Sequence, residues 1–271
     1  MQESEPQFLT VKSEAGARRI AYRRILPREA SGPGVIWMSG LRSDMMGSKA
    51  TAVAEWARKN ERPCLRFDYS GHGESDGAFI DGTIGQWLEE SMAALRELAD
   101  GPHILIGSSM GGWLALLILQ AVARNGADLG RCRIAGAILI APAWDMTEAL
   151  MLKDMPPAGL RQLQQEGVYR RPSHYGDEPY PITRTLIEEG RAHLIGNTPF
   201  DPGVPVHVLQ GKKDEDVPWQ HGAALAPILG EARVTNHLVA DGDHRLSRPQ
   251  DIERLLGLLD KLSDDVASAR G

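Results

Sequence analysis

Short apolar runs alternate along the chain with longer stretches in which apolar residues return at helical spacing. Two strand-like segments at 8–12 and 18–26 come first. The apolar run 34–39 then ends in a turn at 40–43, Ala52, Val53 and Trp56 mark a helix over 48–59, and 63–67 returns to a strand pattern. The alternation continues with a helix at 83–99, a strand at 103–107, a helix at 110–124 and a strand at 134–141. It resumes later with a strand at 204–210, a helix at 219–229, a strand at 233–240 and a closing helix at 249–262. Strands that alternate with helices in this way predict a mostly parallel sheet flanked by helices, of about eight strands.

The rhythm breaks over 143–202, where prolines and aromatics cluster and two amphipathic stretches stand at 157–166 and 182–194. A segment of this length is not expected to be structureless inside a compact domain, so it reads as a small helical lid inserted over the sheet's C-terminal edge. A peripheral insertion without a role is the alternative. Residues 1–271 are accordingly read as a single α/β domain that carries the insertion.

A length of 271 residues suits either two average domains or one large one. At 42% hydrophobic and 24% charged, the composition is that of an ordinary globular chain. The net charge of −6 offers no general attraction for nucleic acid. The most apolar run, 134–143, is too short to span a bilayer, and the polar, acidic residues 1–6 lack the pattern of a secretory signal. A cytoplasmic protein without a membrane span is expected. Cys64 and Cys132 have no partner at metal or redox spacing and read as free thiols.

The pattern Gly-x-Ser-x-Gly occurs twice, around Ser75 and around Ser109. A nucleophile elbow needs a strand running in and a helix running out, so that the hydroxyl stands above the sheet and a helix N-terminus faces the reaction. Ser109 has both, with Gly107, Gly111 and Gly112 allowing close packing, whereas Ser75 lies in a polar, glycine-rich stretch and reads as a turn residue. Ser108 reads as a local hydrogen-bonding residue that points away.

A serine hydroxyl needs a base, and the base needs a group that fixes its tautomer. In the α/β-hydrolase fold these follow in the order serine, acid, histidine. Asp214 lies just past the strand 204–210, and His244 lies in the loop between the last strand and the closing helix. Asp216 and Asp243 are competing acids. Among the other histidines, His72, His103, His207, His221 and His237 sit in positions that do not match, and His174 and His193 fall in the insertion. The backbone N–H groups of Met110 and Leu41 are the expected oxyanion donors, at the elbow and in the turn after the third strand. No His-Glu-x-x-His or Gly-x-Gly-x-x-Gly motif occurs in a supporting context, so no metal and no cofactor is implied.

With these residues in hand, the chain resembles a subgroup of abhydrolase-domain proteins that includes acyl-protein thioesterases and acyl-glucuronide esterases. The matching segments are RFDYSG at 66–71 with SDG at 75–77, GSSMGGW at 107–113, KDEDVPWQ at 213–220 and DHR at 243–245. The resemblance implies Ser109, Asp214 and His244 as the triad and small-molecule acyl esters, thioesters or glucuronides as substrates. It leaves long-chain acyl-protein thioesters as an alternative substrate class. The competing reading from another class is a ligand-binding or sensor protein that keeps the fold without appreciable turnover. In the insertion, Leu150, Met151, Leu152, Met155 and Leu160 would face an acyl chain or dock the lid, and Arg170 or Arg171 would pair with a carboxylate on the leaving group or remain solvated. Its glycines, Gly159, Gly167, Gly176 and Gly190, favour short pieces and a small-to-medium acyl group.

Overall fold

A computed structural model describes residues 5–13, 16–30, 32–172 and 179–268. Eight strands form one sheet in the order β1-β2-β4-β3-β5-β6-β9-β10. The antiparallel edge is β1 (Gln7–Ser13) with β2 (Gly16–Ile25), which also pairs antiparallel with β4 (Cys64–Phe67). Beyond it, β3 (Gly34–Met38), β5 (Gly101–Ser108), β6 (Cys132–Ile140), β9 (Val206–Gly211) and β10 (Val234–Val239) all run parallel.

Because successive strand residues point to opposite faces, the continuous apolar runs of these strands build two cores. Ile36, Met38, Leu105, Ala137, Leu139, Val206 and Val208 face one side, where α2 (Ile84–Leu98) and α3 (Met110–Asn125) contribute Trp87, Trp113 and Leu114. Val35, Trp37, Ile104, Ile106, Ile138, Ile140 and Leu209 face the other, against Val53 and Trp56 of α1 (Ser48–Lys59) and Leu255, Leu259, Leu262 and Val266 of α8 (Pro249–Ser268). The expected strand–helix alternation is therefore the observed architecture, with α8 running six residues further than the sequence pattern predicts.

One expected helix is broken. The stretch 219–229 forms α6 (Trp219–Ala223) and α7 (Leu225–Leu229), separated at Ala224. Pro227 explains the break, since it has no N–H to give to residue 223 and its ring crowds that carbonyl.

Between β6 and β9 the chain forms a π-helical turn (Thr147–Leu152), α4 (Pro157–Glu166), an antiparallel hairpin of β7 (Val168–Arg171) and β8 (Tyr180–Thr183), and α5 (Arg184–Gly190). The hairpin is a feature that the helical expectation for this insertion does not contain. Asp145 anchors the segment by accepting from the N–H groups of Ile195 and Gly196 at 2.7 and 2.9 Å. Trp144 and His221 tie it to α6 by reciprocal bonds, each ring nitrogen bonding the other residue's carbonyl oxygen at 2.9 and 2.8 Å.

Candidate active site

Ser109 sits between the end of β5 and the first turn of α3, with φ 53° and ψ −116°. A side-chain-bearing residue in such a conformation costs on the order of 1–3 kcal/mol, so its surroundings must hold it there. They do so through the backbone. Ser109 N donates to Ile140 O at 2.8 Å, while Gly112 N and Ala143 N donate to Ser109 O at 2.9 and 3.1 Å. A Cβ on Gly107 would strike the backbone of Gly111, and one on Gly111 would strike the carbonyls of Met38 and Ser39. Only hydrogen at these positions lets β3, β5 and α3 meet this closely.

The sequence-predicted residues converge on one point. His244 Nε2 lies 3.1 Å from Ser109 Oγ, and His244 Nδ1 lies 2.9 Å from Asp214 Oδ2. Since the carboxylate accepts, the proton belongs on Nδ1 and Nε2 is left to accept from the serine. Asp214 has a fully buried carboxylate that takes three further N–H groups: Asp216 N and Val217 N reach Oδ1 at 3.0 and 2.7 Å, and Gln210 Nε2 reaches Oδ2 at 2.8 Å. Of the competing acids, Asp243 Oδ1 accepts from Leu246 N at 2.9 Å, and Asp216 stands 3.6 Å from Arg171. One carboxylate oxygen each of Asp214 and Asp216 and a ring nitrogen of His244 lie within 4.8 Å of one another, but both oxygens of Asp214 are already engaged by N–H donors.

Met110 opens α3 and is fully buried, so its N–H belongs to the unpaired first turn of that helix. Leu41 lies in the turn after β3, where Ser43 N donates to Gly40 O at 3.1 Å. A Cβ on Gly40 would come within 3.2 Å of both Ser108 O and Ser109 Cβ, so this turn is seated against the elbow.

A cavity of about 560 Å³ opens above Ser109 and His244. The insertion supplies Ala143, Met146, Leu150, Met151 and Ile182 to its wall, together with Arg171 and Tyr180. Leu152, Met155 and Leu160 are not in that wall; Met155 is buried in the core and Leu160 is exposed. Ser108 does contribute to the wall, contrary to its expected direction. So does Lys49, whose ammonium donates to Arg245 O and, at 3.2 Å, to Ser247 Oγ. Burial, with Arg245 close by, pushes the Lys49 ammonium down to about 8.

The remaining candidates have other work. Ser75 Oγ donates to Asp68 O at 2.7 Å and accepts from Ala21 N at 2.8 Å, which is a turn-fixing role. His193 bonds Glu189 at 2.6 Å, and His207 and His237 stack and bond each other at 2.9 Å. His174 and Gly176 lie outside the described residues. Sequence reasoning missed Gln210 and Lys49. A glutamine closing the strand run at 204–210 was the available signal.

Comparison with known proteins agrees with this architecture. Residues 33–255 match the model of the alpha/beta hydrolase family. Curated relatives include the mitochondrial palmitoyl-protein thioesterase ABHD10 of mouse, 34% identical over 250 residues covering 92% of this chain and 80% of that protein. The human form is 32% identical, with 92% and 78% covered. Among solved structures, a putative hydrolase from Agrobacterium vitis S4 superposes with a TM-score of 0.91 at 42% identity, covering 96% of this chain and 98% of the other. Mouse alpha/beta hydrolase domain-containing protein 10 gives 0.81 at 32%, with 97% and 100% covered. Among the described residues no helix is long and apolar enough to cross a membrane.

Proposed function

The chain belongs to the alpha/beta hydrolase family, and on that premise we propose that it is a serine hydrolase of carboxylic esters or thioesters, with Ser109, His244 and Asp214 as its triad. The observation that carries this reading is the continuous hydrogen-bonded chain from Ser109 Oγ through both nitrogens of His244 to the buried Asp214, at the floor of a cavity. His244 Nε2 takes the hydroxyl proton as Oγ attacks the acyl carbon, and the carbonyl electrons move onto oxygen. The N–H groups of Met110 and Leu41 receive that oxyanion. Collapse expels the alcohol or thiol, which leaves with the proton from His244, and Ser109 remains acylated. Water then gives a proton to His244, attacks the acyl carbon, and the carboxylic acid departs as Oγ recovers its proton.

Residues 143–202 serve as a lid in this proposal, and the apolar wall they lend the cavity supports an acyl chain lying beside Met146, Leu150 and Met151. We place the acyl group in the small-to-medium range. A long-chain thioesterase is the second reading, favoured by the name of the relatives, palmitoyl-protein thioesterase. A cytoplasmic site of action belongs to the same proposal, whereas those relatives are named as mitochondrial. Turnover of a panel of p-nitrophenyl esters and acyl-CoA thioesters by the wild type and by Ser109→Ala tests the function. Hydrolysis lost in the variant is the expected result; binding of these compounds without hydrolysis by the wild type would favour the sensor.

A further inference from the structure

Gln210 occupies the end of β9, and its side chain is fully buried. Its amide nitrogen stands 2.8 Å from Asp214 Oδ2 and 3.1 Å from the carbonyl oxygen of Val217. Both partners can only accept, so the NH2 end of the amide is obliged to face them. The opposite end pays for this, because Oε1 is buried and has no hydrogen-bond partner among the described residues. A buried acceptor left unsatisfied costs free energy that an apolar side chain of the same shape would avoid. A strand end that keeps glutamine here has a use for the donor.

From this arrangement we infer that Gln210 is a positioning residue for the proposed hydrolysis, holding Asp214 Oδ2 in line with the histidine and sharing the charge on that oxygen. The inference rests on the Ser109–His244–Asp214 reading. Backbone N–H groups of Asp216 and Val217 secure only Oδ1, so without Gln210 the sole group holding Oδ2 is His244, the residue that the carboxylate has to orient. The same amide ties Val217 O to β9, which fixes the loop that carries Asp214. Oδ2 divides its hydrogen-bonding capacity between Gln210 and His244. Removing one donor concentrates the charge on the other and stabilises the imidazolium, which delays the release of the base as pH rises. The other charged groups near this pair are Asp216 with Arg171, Asp243 and Arg245 beside the histidine, and Lys49 against Arg245. All of them are untouched by a change at Gln210.

Gln210→Met and Gln210→Glu test the inference, with p-nitrophenyl acetate hydrolysis followed against pH and thermal melting measured in parallel. For Gln210→Met, kcat should fall about tenfold at nearly constant KM, and the acid limb of kcat/KM should move to higher pH. Its melting temperature should fall only slightly, because relief of the unsatisfied Oε1 offsets the donors lost to Asp214 Oδ2 and Val217 O. Gln210→Glu should lose more activity, since it sets a second carboxylate against Asp214. Wild-type kcat and pH profile in Gln210→Met would overturn the inference, and so would losses in both variants that follow a collapse in melting temperature, the signature of a packing role. Asp214→Asn is assayed alongside. If it is inactive while Gln210→Met behaves as wild type, only the inference fails; if it is fully active, the triad reading fails and the inference with it.

Discussion

Replacing Asp214 by asparagine removes one charge and almost no volume, and the surrounding hydrogen bonds dictate how the new amide must sit. The N–H groups of Asp216 and Val217 belong to the backbone and point at Oδ1, so the amide oxygen of the new side chain must take that place. Its NH2 then stands where Oδ2 stood, facing Gln210 and His244. Gln210 has an answer, because turning its amide brings the unpartnered Oε1 round to accept, at the expense of Val217 O. His244 has none. It must present a bare Nδ1 to the amide, which puts its proton on Nε2 and leaves Ser109 without a base. The fold should survive while kcat falls about ten-thousandfold, a loss of roughly 5 kcal/mol of transition-state stabilisation. Steady-state hydrolysis of p-nitrophenyl acetate gives kcat and KM separately, and circular dichroism melting reports the fold. A kcat within tenfold of wild type, or a large loss appearing instead in Asp216→Asn, would refute this reasoning.

Gly111→Ala should abolish activity and lower stability by several kcal/mol, because its Cβ meets the fixed carbonyls of Met38 and Ser39 at the end of β3. Gly257→Ala, at an exposed site in α8 with nothing near its Cβ, should raise the melting temperature by about 2 °C. Burial holds the His72 imidazole down to about 4 from an ordinary 6.5, so between these values the unfolded chain binds a proton that the folded chain refuses. Stability should therefore fall as pH drops from 6.5 towards 4, by up to about 3 kcal/mol, and His72→Phe should flatten that slope in pH-dependent melting even if it is less stable at neutrality. Catalytic efficiency should rise several-fold per added methylene, at about 0.8 kcal/mol each, until the cavity fills, and then decline; a maximum at palmitoyl would favour the long-chain reading.

The legibility of each feature in the sequence depends on how local its signal is. The elbow is legible because strand, glycines, serine and apolar helix are contiguous from 103 to 119, and the same context separates Ser109 from Ser75. Asp214 and His244 are found by their place after late strands, which the parallel topology turns into one edge of the sheet. The β7–β8 hairpin is hard to read from the sequence: Val168, Tyr169, Tyr180, Ile182 and Thr183 favour strands, but each run is only four residues long and Arg170, Arg171 and Pro181 break any apolar alternation. Pro227 does announce the break between α6 and α7, but the apolar periodicity on either side of it masks the signal. Gln210 stands out in the sequence only as a polar residue closing a strand run, and its partner becomes known once the fold sets Asp214 beside it.

Whether Ser109 is an activated nucleophile served by His244 and Asp214 is read out by intact-protein mass spectrometry after brief exposure to a fluorophosphonate, with peptide mapping of the adduct. One phosphonyl group per chain is expected, attached at Ser109, forming far more slowly in His244→Ala and absent in Ser109→Ala. An unmodified wild-type chain, or an adduct mapped to Ser75 or Ser108, would contradict that assignment.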